Sequence, residues 1–167
     1  MNQDVTILIL THKSKKLVLD YIKELYKKFR IIIIDNSNDL DLKSVIINSY
    51  PGVEIYLIPN NGYSNQINFG SKLVTTEYFL ISNPDIRGMN ESNVLNFVKA
   101  AKELKNKFSA LGPRFLNVNP KSHKQSEDNN SISSMKFISG ACMFFNKKNF
   151  DSLNGFDENI FLYFEEN

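Results

Sequence analysis

Two rhythms of apolar residues alternate along the chain. The first is the short, nearly continuous run: Val5–Leu10, broken only by Thr6, then Ile31–Ile34, Val53–Ile58, broken only by Glu54, and Tyr78–Ile81. Runs this short, rich in β-branched residues and without polar alternation, suit strands covered on both faces, as in a parallel sheet. The second is a stripe at helical spacing. Leu17, Val18, Tyr21, Ile22, Leu25 and Phe29 share one face, with Lys23, Glu24, Lys27 and Lys28 between them. Ile67, Gly70, Leu73 and Val74 form a shorter stripe. Val94, Phe97, Val98, Ala101 and Leu104 form a third, opened by an Asn90 or Ser92 cap. Strands alternating with helices predict βαβ units, hence an α/β fold with a doubly wound, mostly parallel sheet in a single domain.

The pattern changes after Phe108, and Gly112-Pro113 marks a turn. Asn117 to Ser134 is almost wholly polar and predicts a long mobile loop. Phe137–Ile138 and Ala141–Phe145 predict two later strands, split by Ser139-Gly140. Asn146 predicts the cap of a short helix that ends at Asn154-Gly155.

Composition narrows the classes. A chain of 167 residues suffices for one well-buried core, and 42% hydrophobic residues is ordinary for a globular protein. A net charge of +2 provides no field for nucleic acid, so no nucleic-acid partner is expected. The lysines at 13, 15 and 16, and at 121 and 124, read as solvated loops. The single cysteine, Cys142, lies in an apolar run and reads as a small core residue in a reducing compartment. Val5–Leu10 is too short for a signal peptide and lacks a basic leader. No stretch approaches the ~20 apolar residues of a spanning helix. The expected location is the cytoplasm, with peripheral association at the inner face of a membrane left open.

The first βα turn removes two large ligand classes. A dinucleotide fold would carry G-x-G-x-x-G there, and this chain has Thr11-His12-Lys13-Ser14. A P-loop lysine motif is also missing. The segments after the other strand signals are polar and distinctive: Asp35-Asn36-Ser37 after the second, Asn60-Asn61-Gly62-Tyr63 after the third, with Asn68 and Gly70 further on, and Ser82-Asn83-Pro84-Asp85 after the fourth. Near the end come Gly155-Phe156-Asp157-Glu158 and Phe161-Leu162-Tyr163-Phe164-Glu165-Glu166. Residues at the ends of the strands of an open α/β sheet gather on one edge, where such sheets bind ligands.

In this order and spacing the motifs resemble a family 2 glycosyltransferase of the GT-A fold, nearest its rhamnosyltransferase-like branch, from Val5 to Asn167. The resemblance implies a nucleotide-sugar-binding part at 1–112 and the start of an acceptor part at 113–167. It implies inverting, metal-dependent transfer from a UDP- or dTDP-sugar to a polysaccharide or lipid-linked acceptor. Family members continue further, so a truncated, non-catalytic nucleotide-sugar-binding module is the alternative expectation.

The residue roles come from the same resemblance. Asp35 is expected to accept the imide N–H of the base, though Asp-Asn-Ser is also good turn chemistry. Thr11, Asn36, Asn61, Gly62, Asn68 and Asn83 are expected beside the nucleotide, whereas His12 is expected to pack or to face solvent and to take no part in chemistry. Asp85 is expected to hold Mg2+ or Mn2+, which prefer oxygen ligands. Asn83 stands where the common family pattern has a second aspartate, so the metal should bind weakly without the diphosphate. Gly140 and Ala141 are expected where sugar or acceptor comes close. Asp157, Glu158 and Glu165 are expected at the acceptor, and Glu166 as the base that takes the acceptor hydroxyl proton.

Overall fold

The computed structural model describes residues 2–116 and 132–161. Its elements are β1 (Asn2–Thr11), α1 (Lys15–Ile22), β2 (Phe29–Asp35), α2 (Leu40–Ser49), β3 (Glu54–Leu57), α3 (Tyr63–Leu73), β4 (Tyr78–Ser82), α4 (Glu91–Glu103), β5 (Cys142–Asn146) and α5 (Lys147–Ser152). The strands form one sheet in the order β3-β2-β1-β4-β5. β1, β2, β3 and β4 pair in parallel, and β5 runs antiparallel to β4. This is the expected α/β architecture of the GT-A fold.

The continuous apolar runs are explained by two cores, one on each face. Ile7 and Ile9, Ile31 and Ile33, Tyr78 and Leu80, and Cys142 and Phe144 join the core beneath α1, α2 and α4. Their neighbours Leu8 and Leu10, Ile32 and Ile34, Phe79 and Ile81, and Met143 and Phe145 join the core beneath α3 and α5. Period-2 side-chain alternation in a strand buried on both faces therefore needs apolar residues at every position. The change of helix face reflects crossover handedness. The chain steps from β1 to β2 to β3 in one direction, then returns past β1 to β4. Right-handed crossovers in opposite directions put their helices on opposite faces. Aromatic contacts lock the antiparallel edge: Tyr78 and Phe97 both stack on Phe144, at ring-centroid distances of 5.3 and 5.2 Å.

Several expectations change. The Leu17–Phe29 stripe is not one helix. α1 stops at Ile22, a turn with Lys27 at φ 68° comes next, and Phe29 already begins β2. Leu25 and Phe29 are buried like the helical residues before them, so the stripe ran on past the helix end. α2 lacks a clear sequence stripe, because only Leu42 and Ile46 are buried. Asp39 caps it by accepting the Leu42 N–H at 2.8 Å. Phe137–Ile138 is not a strand. The outer edge of β5 instead meets the chain at Leu111, through a bridge to Phe144, and Ile138 packs onto the second core. Asn90 is the cap of α4, and Asn146 caps α5. Cys142 is fully buried. Most of the polar stretch expected as a mobile loop, 117–131, lies outside the described residues. No helix among the described residues is long and apolar enough to cross a membrane.

Candidate functional site

The strand order places a topological switch between β1 and β4: the chain leaves β1 towards β2 on one side and returns to β4 on the other. Open sheets of this kind bind ligands in the crevice outside the carboxyl ends of the strands at such a switch. Thr11 ends β1 in register with Asp35 at the end of β2, and Asp35 is in register with Leu57 of β3. Because β5 is antiparallel, its entry, Gly140-Ala141, comes to the same edge. The Asn83 N–H donates to the Ala141 carbonyl at 2.9 Å, which ties the two together. Adjacent strands lie about 4.8 Å apart, so the residues at the strand ends form one continuous edge.

Three strand ends are linked by a polar chain along this edge. His12 donates from Nδ1 to Asn36 Oδ1 at 2.7 Å, and Asn36 Nδ2 donates to Asn60 Oδ1 at 2.9 Å. Asn36 also donates its backbone N–H to the Thr11 carbonyl. His12, expected to pack or to face solvent, is exposed and is held in this line. The Thr11 hydroxyl, on a residue only 3% exposed, has no hydrogen-bond partner among the described residues. A buried, unsatisfied hydroxyl at a ligand edge is unusual.

Asp35 is at the expected place but differently engaged. It is fully buried, and its carboxylate accepts the Ser37 hydroxyl at 2.6 Å, the Asp39 N–H at 2.8 Å and the Ser37 N–H at 3.3 Å. In this structure the carboxylate closes the β2–α2 turn.

Beneath Asn83 runs a buried polar line. The Tyr21 hydroxyl donates to Ser82 Oγ at 2.7 Å, and Ser82 Oγ reaches the Asn83 carbonyl at 3.2 Å. Burial pushes the Tyr21 hydroxyl well above its ordinary range and the Cys142 thiol up to about 12. Cys142 is therefore a neutral core residue and no nucleophile.

Asp85 is exposed just past β4 and has no side-chain hydrogen bond or ion pair among the described residues. No group of three or more His, Cys, Asp or Glu side chains that could hold a metal occurs among the described residues. The local donor set is thus one free carboxylate two residues along the chain from the Asn83 amide. Those are hard oxygen ligands, and they fit Mg2+ or Mn2+ only if a diphosphate and water complete the shell.

The remaining expected residues cluster around the N-terminus of α3. Gly62 precedes the helix at φ 97°, in the left-handed region that favours glycine. Asn61 is exposed before it. Tyr63 donates its N–H to the Phe161 carbonyl at 2.8 Å and its hydroxyl to the Gly140 carbonyl. Asn68 faces the returning chain: its amide donates to the Phe156 carbonyl at 2.8 Å and to Glu158 Oε1 at 3.0 Å, and accepts the Phe156 N–H at 3.0 Å. Asn65 donates to Glu158 Oε2 at 3.1 Å. These two amides hold the Glu158 carboxyl below its ordinary value of 4.5. Asp157 accepts from Asn159 within its own turn. Glu165 and Glu166 lie outside the described residues. Tyr21 is the participant that sequence reasoning left out; Asn60 and Tyr63 stood in the motif after the third strand without a role of their own, and His12 was set aside. Tyr21 carried no signal, because its polar hydroxyl sits within an apolar helical stripe.

Two shallow concavities of about 390 and 540 Å3 lie at the opposite edge. Thr75, Glu77 and Lys147 line the first, and Asn2, Asp4 and Lys102 line the second.

Known proteins agree with the architecture. The chain superimposes on a mannosyltransferase, PcManGT from Pyrobaculum calidifontis in complex with GDP-Man and Mn2+, with a TM-score of 0.72 and 14% identity, over 96% of this chain and 49% of that one. Residues 1–349 of TarS from S. aureus match with a TM-score of 0.70 and 13% identity, over 98% and 53% of the two chains. The same TarS segment with UDP-GlcNAc matches with a TM-score of 0.66 and 13% identity, over 92% and 48%. The chain thus spans about half the length of these structures. No curated protein matches it by sequence. The profile described as "Glycosyl transferase family 2" matches residues 6–154. The chain belongs to glycosyl transferase family 2.

Proposed function

We propose that the strand-end edge binds a nucleoside-diphosphate sugar, and that the chain supplies the donor site of an inverting transfer to a glycan or lipid-linked acceptor at the cytoplasmic side of a membrane. The observation that carries this reading is the convergence of Thr11, Asn36, Asn60, Asn83 and Asp85 on one edge at the β1/β4 switch point. The GDP-Man and UDP-GlcNAc bound to the two similar proteins support the ligand class.

The chemistry divides the work among these residues. The His12–Asn36–Asn60 chain offers fixed donors and acceptors to a base or ribose, because each amide is oriented by its neighbour. Asp85, with Asn83 beside it, would hold Mg2+ or Mn2+. When bound, that ion neutralises charge on a departing diphosphate. Gly140 and Ala141 present backbone with little side-chain bulk to the sugar. Glu166, with Glu165 before it, keeps the proposed base role, since removal of the acceptor proton must accompany attack on the anomeric carbon. A single displacement inverts that carbon. A uracil, thymine or guanine base and a rhamnose or other hexose all remain within the proposal.

The test is release of nucleoside diphosphate from UDP-, dTDP- and GDP-sugars in the presence of Mn2+, with Glu166→Gln as control. Release that Glu166→Gln abolishes while nucleotide binding persists supports the reading. Failure to bind any of the three nucleotides sinks it.

A further inference from the structure

The segment from Gly155 to Phe161 is strapped across the start of α3, and its fastening is specific. One asparagine, Asn68, only 7% exposed, has both amide hydrogens and its carbonyl engaged with Phe156 and Glu158. Both oxygens of Glu158 are gripped, one by Asn68 and one by Asn65. At the far end of the strap, the Phe161 carbonyl accepts the Tyr63 N–H. That N–H belongs to the first turn of α3, where helices leave donors unpaired.

Two glycines let this happen. A Cβ on Gly155 would stand 2.4 Å from Asn68 Oδ1, and a Cβ on Gly62 would stand 2.6 Å from the Phe161 oxygen. Both also have positive φ, at 75° and 97°. The close approach is therefore built in at both ends of the strap.

We infer that Glu158 is a positioning residue and not an acceptor-hydroxyl ligand: the Asn65–Glu158–Asn68 clasp fixes the strap against α3, and with it the Phe161 carbonyl beside the Gly62 turn of the donor edge. Its consequence for transfer rests on the donor-site reading above; the clasp itself does not. A carboxylate whose two oxygens already accept two amide N–H groups has less capacity for a substrate hydroxyl. The geometry also makes the Gly62 turn common to two tasks. One side of it belongs to the strand-end edge and the other abuts the strap.

Reversing the polarity of one hydrogen bond tests this. Asn65→Asp sets a carboxylate against Glu158. Glu158→Gln turns one oxygen of the clasp into a donor. The pair Asn65→Asp/Glu158→Gln restores the Asn65 contact with donor and acceptor exchanged. The readout is the protection factor of the Tyr63 amide, measured by hydrogen exchange and NMR on the full chain. Asn65→Asp is expected to lower it roughly five-fold, and the double variant to recover most of that loss. An acid in the first turn of α3 favours the helix itself, so a lower protection factor in Asn65→Asp cannot come from helix destabilisation. Binding of UDP, dTDP and GDP with Mn2+ should stay within about two-fold in every variant, since neither substituted residue, Asn65 nor Glu158, is among those assigned to the nucleotide.

Where nucleoside diphosphate release is detectable, the double variant should recover it relative to either single change. An acceptor-ligand role for Glu158 predicts no such recovery. Unchanged Tyr63 protection in Asn65→Asp, or a double variant as poorly protected as Asn65→Asp, overturns the inference. Loss of nucleotide binding in the unaltered chain would instead count against the donor site and leave the exchange result standing.

Discussion

The strand-end edge and the α3 strap lie side by side, but they are held together by contacts of very different reach. At the edge, Asp35 is satisfied by Ser37 and Asp39, two and four residues away. Asn36 bridges to His12 and Asn60, each 24 residues away, which follow strands already paired in the sheet. The strap is fastened by contacts spanning 88 to 93 residues, from Asn65 and Asn68 to Phe156 and Glu158. The edge is thus assembled whenever the sheet is, whereas the strap depends on a few polar contacts, on two glycines and on the Phe156 ring, which packs against Phe145 and Phe150. Local stability should differ accordingly, with the strap opening more readily than the sheet.

The largest expected effect strikes the edge. Asp35→Ala removes the acceptor for two backbone N–H groups and a hydroxyl in a buried turn, and should cost about 3 kcal/mol in urea unfolding. A cost under about 0.5 kcal/mol would show that the turn holds without its carboxylate. Next comes Gly155→Ala, which should cost about 2 kcal/mol, because strain at positive φ adds to the clash with Asn68. Hydrogen exchange should place that loss in residues 155–161 and the start of α3, with β1 and β4 still protected. A uniform loss across the sheet would erase the distinction between the two regions.

The smallest effect concerns pH. The Glu158 carboxyl is held low by the amides of Asn68 and Asn65. A carboxylate with a depressed folded pKa contributes stability that is fully present above its unfolded value. That contribution is lost as pH falls through the folded one. Strap protection should therefore be flat from neutrality down to about 5, and weaken only in the acid carboxylate range. Asn65→Asp should show the opposite trend near its own carboxylate range, gaining protection as the facing charges are neutralised.

The same difference in reach explains what the amino-acid pattern revealed. Continuous runs such as Ile31–Ile34 announced strands buried on both faces, because short β-branched runs without polar alternation suit that environment best. Thr11, Asp35, Asn36, Asn83 and Asp85 were legible as a group because each lies at or just past the end of such a run, and topology then brings strand ends together. Burial alone, however, does not separate a helix from the turn and strand after it, so Leu25 and Phe29 extended the α1 stripe too far. α2 was missed because its outward face is apolar too: Leu40 and Ile47 are exposed, which blurs the period. Phe137–Ile138 is too short to declare a pairing partner. The pairing of Asn68 with Glu158 leaves no local trace at all, since neither residue's neighbours change with it. Asp35 was found, but the use of its oxygens inside its own turn is a matter of geometry that residue identity does not carry.

The measurement that tests the donor-site claim most directly is calorimetric titration of the chain and of Asp85→Ala with UDP, dTDP and GDP, each with and without Mn2+. Asp85 is exposed and its side chain makes no hydrogen bond or ion pair among the described residues, so its removal should leave the melting temperature unchanged. The account predicts metal-dependent binding of at least one nucleotide to the unaltered chain and its loss in Asp85→Ala. Equal, Mn2+-dependent binding by both proteins would contradict it.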